Sequence, residues 1–148
     1  MLYLVVILWR NLDQNHRPGE GGLLATFGPG NNLTLLRGAL LAALAGFLLS
    51  PAPLQYLAWA PAIIYTLAIA ADFLDGYAAR VSNHVTRLGE TLDMSLDGIG
   101  ILIATTLAIQ FGTLPLWYLA VALSRPLFLI GIRLREKRGL MIHELNPS

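Results

Sequence analysis

The chain contains no cysteine. Disulfides, thiolate nucleophiles and cysteine-based zinc sites are therefore excluded, and the redox compartment is left open. Charge is scarce as well: 13% of the 148 residues are Asp, Glu, Lys or Arg, where soluble domains carry roughly 25%. The formal net charge is only +1, and no basic run is interleaved with aromatics, so nothing marks a surface for nucleic acid. There is no sequence repeat and no low-complexity tract. The opening MLYLVVILW lacks both the basic n-region and the small-residue cleavage site of a signal peptide.

What is present is apolar. Hydrophobic residues make up 55% of the chain and the mean hydropathy is +0.61, which indicates one membrane domain. Met1 to Trp9 is too short to cross a bilayer, which takes about 20 residues, and is expected to form a short interfacial helix. Arg10 to Glu20 is polar, and Gly19, Gly21, Gly22, Gly28, Pro29 and Gly30 predict a loop. Asn31 or Asn32 is expected to cap a helix opening at Leu33 and reaching Ser50, where Pro51 and Pro53 end it. Further spans are predicted from about Leu54 to Leu74, Leu88 to Phe111 and Leu116 to Ile132, separated by a polar turn from Val81 to Thr86 and by a turn at Gly112, Thr113 and Pro115. The predicted fold is an all-α integral membrane bundle of four transmembrane helices. It divides into a juxtamembrane segment (1–30), the bundle (31–133) and a basic cytoplasmic loop or tail (134–148).

Arg37 lies at the entry to the first span, Arg80 and Arg87 flank the turn between the second and third, and Arg133, Arg135, Lys137 and Arg138 follow the fourth. The other two turns, SPAPLQY and QFGTLP, carry no charge. The positive-inside rule therefore puts both termini and the Asp72–Asp97 turn, with any active site there, on the cytoplasmic side. A multi-pass protein of a prokaryotic plasma membrane is expected.

Against that apolar background stands DFLDGYAARVSNHVTRLGETLDMSLD, residues 72–97. Charges in such a place are costly unless paired, metal-bound or wet, and so mark a functional site. Asp72 and Asp75 are three apart at the end of one helix, about 60° from each other in azimuth; Asp93 and Asp97 are four apart at the start of the next, about 40° apart. A helical hairpin would bring the two pairs face to face. Such carboxylates repel one another, and hard divalent cations with oxygen ligands, Mg²⁺ or Mn²⁺, would remove the conflict. Two ions about 3.5–4 Å apart would suit a phosphoryl transfer. Gly76 and Gly89 leave room for a ligand or a neighbouring backbone, Ala78 and Ala79 extend that room, and Arg80 offers a planar fork for a diphosphate.

Written as a pattern, the stretch is D-x2-D-G-x2-A-R-x8-G-x3-D-x3-D. It resembles the motif of the CDP-alcohol phosphotransferase (phosphatidyltransferase) family, with eight defined positions over twenty-six residues. The upstream NNLTLLR resembles the Asn-x-Leu-Thr-x-x-Arg element of the family's first transmembrane helix. The resemblance covers about Asn31 to Ile132. It implies two metal ions held by Asp72, Asp75, Asp93 and Asp97, with Asp72 and Asp93 bridging both and Asp97 also acting as general base. Asn31, Thr34, Arg37, Gly76, Ala79, Arg80, Thr86 and Gly89 would hold the CDP moiety. The implied reaction is attack of an alcohol on CDP-diacylglycerol with release of CMP, as part of phospholipid biosynthesis; a homodimer is also implied. The family usually has six transmembrane helices, so a fragment or a reduced member is expected. LDMSLDG lacks the Asp-Pro-x-Ala-Asp-Lys wording of the phosphatidylglycerophosphate synthase branch, which weighs against glycerol 3-phosphate as acceptor.

Other readings have less behind them. Membrane prenyltransferases place their acidic motifs on helices far apart in the chain. A non-enzymatic cation-binding or transport bundle, or an inactive scaffold, would bind metal without affinity for CDP. Arg125 is a candidate for the acceptor's phosphate or carboxylate, or an Arg that snorkels to the interface. Arg133, Arg135, Lys137 and Arg138 read as a topology-setting cluster, with recruitment of anionic head groups or a phosphorylated acceptor as the rival reading. Ser82 and His84 belong to a polar turn rather than a triad, and His16 and His143 have no metal spacing. Gly38, Ala42, Ala43, Ala45 and Gly46 favour close helix packing, and Trp59 and Trp117 read as interfacial anchors.

Overall fold

The computed structural model describes residues 2–17, 22–49 and 57–137. Among these residues the regular structure is entirely helical: α1 (Leu2–Arg10), α2 (Gly28–Gly46), α3 (Ala60–Val81), α4 (Arg87–Gln110) and α5 (Tyr118–Lys137), with 3₁₀ turns at Leu12–Gln14 and Phe47–Leu49. Among the described residues three stretches are long and apolar enough to cross a bilayer: Gly28–Leu49, Ala60–Val81 and Arg87–Gln110. The fourth expected span coincides with α5, which runs beyond Ile132 into the basic stretch as far as Lys137. Only 17% of the apolar window of α3 is buried. Ile63, Leu67, Phe73, Leu74 and Tyr77 stand exposed along it, forming the kind of apolar surface that hydrocarbon would cover.

Several boundaries differ from the expected ones, each for a local reason. α2 opens at Gly28, more than a turn before Leu33, with Pro29 in its first turn. Proline suits that position because its fixed φ is already helical and its missing N–H would have had no partner. The loop expected through Gly28–Gly30 is therefore helix, and neither Asn31 nor Asn32 is the cap. Gly28 itself has φ +72°, the left-handed region that favours glycine. α3 begins at Ala60, again with proline in its first turn, and carries on past Leu74 to Val81; the expected start at Leu54, with Pro51 and Pro53, lies outside the described residues. α4 begins where expected. Thr86, in extended conformation, caps it by accepting from the Gly89 N–H at 3.0 Å.

α2 is the centre of the bundle. It packs most extensively on α3 and next on α4, while α5 packs on α4. α3 and α4 are joined by a short turn yet make little direct contact with each other. The hairpin anticipated from sequence is thus a three-helix arrangement with α2 against both arms. Leu4, Leu41, Leu44, Ala68, Leu96 and Leu107, drawn from α1 to α4, form the buried cluster that holds it. α1 docks through Leu4, whose side chain occupies the space that a Cβ on Gly38 would need.

Candidate active site

Three helices converge on one group of charges. α3 brings Asp72 and Asp75, α4 brings Asp93 and Asp97, and α2 brings Arg37. Carboxylate oxygens of Asp72, Asp75 and Asp93 lie within 4.8 Å of one another. This oxygen-only donor set is of the kind that hard divalent cations take. Asp97 stands outside that tightest group; it is tied in through Arg37, whose Nη2 donates to Asp97 Oδ1 at 2.5 Å. Arg37 Nη1 donates to Asp93 Oδ1 at 2.7 Å and pairs with Asp72 as well. Its side chain is 7% exposed, against 38% for Asp72 and 46% for Asp93. The planar fork of arginine makes such a multiple contact geometrically possible.

Asp75 is the buried member of the set. Thr34 Oγ1 donates to its Oδ2 at 2.7 Å, which links the Asn-x-Leu-Thr element directly to the acidic motif. Asn31 makes a second link between the two elements: its Nδ2 donates to Thr86 Oγ1 at 2.9 Å, and the Thr86 hydroxyl donates back to Asn31 Oδ1 at 3.1 Å. The polar start of α2 is thereby fixed to the cap of α4.

Beside the carboxylates, towards the α3–α4 turn, lies a cavity of about 430 Å³. Asn31 and Thr34 line it from α2, Gly76, Ala79 and Arg80 from α3, and Thr86 and Gly89 from the start of α4, with Asp75 and Asp93 on the same wall. Among the described residues expected to hold substrate, Arg37 alone is placed elsewhere. It lines a smaller cavity of about 180 Å³ with Asp72, Asp97 and Tyr65, so the charged cluster separates two spaces. A further cavity of about 470 Å³ at the far end of the bundle, bounded by Trp59, Tyr65, Leu107 and Phe111, has no charged residue among the described residues of its wall.

The glycines at the larger cavity are sites of close approach. A Cβ on Gly30 would come within 2.8 Å of Ala79 Cβ and 3.0 Å of the Asp75 carbonyl oxygen, and one on Gly89 within 2.5 Å of Asn31 Oδ1. Both lie well inside van der Waals distance. Gly76 differs: the atoms nearest to its Cβ would be those of the Arg80 guanidinium, from 3.3 Å, the end of a flexible side chain of its own helix.

Two features of the site went unread in the sequence. Glu90 also lines the larger cavity; it precedes Asp93 by three residues, so the shared helix face was a usable signal. The second is the N-terminal segment, which clamps the first turns of α4. Thr91 Oγ1 donates to Gln14 Oε1 at 2.9 Å and the Arg87 N–H to the His16 carbonyl at 3.2 Å, while Asn15 Nδ2 donates to the carbonyls of Leu24 and Thr26 in the stretch that leads into α2. No periodicity announces it. Ser82 and His84 are engaged with backbone carbonyls, of Ala78 and of Thr26 at 3.1 Å, as members of a polar turn would be. The side chain of Arg125 lies outside the described residues.

Residues 29–143 match the CDP-alcohol phosphatidyltransferase family. The chain belongs to this family. Over 75 residues it is 37% identical to the CDP-diacylglycerol–glycerol-3-phosphate 3-phosphatidyltransferase of Bacillus subtilis (strain 168), a stretch that covers 51% of this chain and 39% of that relative. The chain thus spans well under two thirds of the length of the curated relative it matches. No solved structure matches. CDP-alcohol phosphatidyltransferases are generally dependent on a divalent metal. The donor set described above fits one, since every ligand atom it offers is a carboxylate oxygen.

Proposed function

We propose that this CDP-alcohol phosphatidyltransferase transfers the phosphatidyl group of CDP-diacylglycerol to an alcohol and releases CMP. The observation that carries this reading is the larger cavity. It brings Asn31, Thr34, Arg80 and Thr86, together with the close-approach glycine Gly89, against the same carboxylates that would hold metal. Arg80 and the polar start of α2 would bind the diphosphate and nucleotide there. Asp97, set apart from the tight oxygen group, would take the proton as the acceptor oxygen bonds to phosphorus and the bond to CMP breaks. Asp72, Asp75 and Asp93, with Asp97, would hold two Mg²⁺ or Mn²⁺ ions, which when bound supply charge neutralisation at the diphosphate. The arginine distribution supports a site at the cytoplasmic face, where nucleotide and acceptor come from water and the acyl chains stay in lipid.

The name of the Bacillus relative makes glycerol 3-phosphate the first acceptor to assay, although LDMSLDG departs from the wording of that branch. The test is CMP release by the chain reconstituted in vesicles containing CDP-diacylglycerol, with glycerol 3-phosphate, serine or inositol phosphate supplied in turn. Turnover with at least one acceptor, lost on chelation and restored by Mg²⁺ or Mn²⁺, is expected. Absence of CMP release with every acceptor, from protein that binds CDP, would leave a binding scaffold in place of an enzyme.

A further inference from the structure

Resting on the metal-site reading above, we infer that Arg37 is a built-in counter-charge of the carboxylate cluster. It holds Asp72, Asp93 and Asp97 together and weakens their hold on divalent metal, so that firm binding of a second ion requires the diphosphate of the substrate. Three observations carry this. The guanidinium touches three of the four motif carboxylates at once, through Nη1 to Asp72 and to Asp93 at 2.7 Å and through Nη2 to Asp97 at 2.5 Å. Its side chain is 7% exposed, so solvent does little to screen it. It is also absent from the wall of the 430 Å³ cavity that holds the other expected substrate ligands, which argues against a direct role in gripping the nucleotide.

The charge balance gives the sign. Four ionised aspartates carry four negative charges, and a fixed arginine leaves three. One divalent ion is fully balanced by that set, with one negative charge left over, whereas a second would leave the site net positive until an anionic diphosphate entered. A cation within a few ångströms of a divalent ion repels it, and the burial of the Arg37 side chain limits how far solvent screens that repulsion. Without metal, three of the four carboxylates are held by Arg37 and Asp75 by Thr34, and the cluster becomes a two-metal site only together with its anionic ligand. Arg37 is a positioning residue in this scheme, acting on the carboxylates.

The experiment is a Mn²⁺ titration of the full chain in detergent, followed by electron paramagnetic resonance, for the wild type and Arg37→Gln, each with and without CDP. Arg37→Gln is expected to bind Mn²⁺ roughly tenfold or more tightly without CDP, and CDP is expected to tighten Mn²⁺ binding by a smaller factor in the variant than in the wild type. Arg37→Lys keeps the charge and is expected to stay close to the wild-type affinity. If metal-free Arg37→Gln does not stay folded, it is purified in Mn²⁺ and stripped with graded chelator, and the chelator midpoint gives the same comparison. Equal or weaker Mn²⁺ binding in Arg37→Gln, with CDP affinity unchanged, overturns the inference and leaves the metal-site reading standing. A loss of CDP affinity at unchanged Mn²⁺ affinity overturns it in favour of a substrate contact. If neither protein binds Mn²⁺, the metal-site reading falls and the inference with it.

Discussion

Asp75 shows what the site demands of a single residue. It is a buried carboxylate with one hydroxyl donated to it at 2.7 Å, from Thr34. Thr34→Val keeps the shape and removes the donor, and leaving a buried acceptor short of its partner costs about 1–3 kcal/mol. The variant should melt at a lower temperature and bind Mn²⁺ more weakly, whereas Thr34→Ser, which keeps the hydroxyl, should recover both properties. Unchanged melting and metal binding in Thr34→Val would mean that the hydroxyl does not hold Asp75. Asp97→Asn tests a different property. It preserves the side-chain volume and an oxygen for Arg37 Nη2, but removes the proposed base. Loss of general-base assistance lowers turnover by roughly 10²–10⁴-fold, and CMP release should fall in that range while CDP still binds. Wild-type turnover in Asp97→Asn would move the proton acceptor elsewhere.

At the level of elements, the contrast is between glycines that close a helix contact and glycines that merely interrupt a helix. Gly30 sits against Ala79 and the Asp75 carbonyl oxygen. Gly30→Ala must therefore push α2 away from α3 at the point where both reach the site, at a cost of about 1–3 kcal/mol for overpacking. Gly98, within α4, has nothing within 4 Å of a Cβ built on it. Gly98→Ala should stabilise the fold by up to about 1 kcal/mol through helix propensity alone. Thermal unfolding of the two variants in the same detergent checks both signs, and matching shifts would contradict the packing described for α2. The same contrast explains how far the sequence could be read. Helical period placed Asp72 with Asp75 and Asp93 with Asp97, and the apolar runs placed the helices that carry them. The wedging of α2 was not legible, because it depends on contacts such as Asn31 with Thr86, which are 55 residues apart. Arg37 announced by its charge that it needed a partner, but not that it would have three. The clamp from Gln14 to His16 rests on single polar contacts with no period to reveal them.

At the scale of the whole molecule, the untested claim is which way the bundle faces, and the missing cysteines make it simple to measure. A single introduced thiol is the only one in the chain. Ser82 and Thr113 are exposed, in the turns at opposite ends of α4. α4 has 24 residues, and at 1.5 Å per residue a helix of that length covers about 36 Å, more than the roughly 30 Å of a hydrocarbon core. The two turns should therefore open on different sides. Arg80 and Arg87 flank the turn that holds Ser82, while the segment around Thr113 carries no charge, so the first should be cytoplasmic. In sealed inside-out vesicles a membrane-impermeant maleimide should label Ser82→Cys and spare Thr113→Cys, with the reverse in right-side-out vesicles. Labelling of both from one side would mean that α4 does not cross the membrane. Labelling in the reversed order would put the carboxylates on the face away from the cytoplasm. CDP-diacylglycerol would then have to meet its acceptor where cytoplasmic nucleotide cannot reach, and the proposed reaction would lose its setting even with every side chain in place.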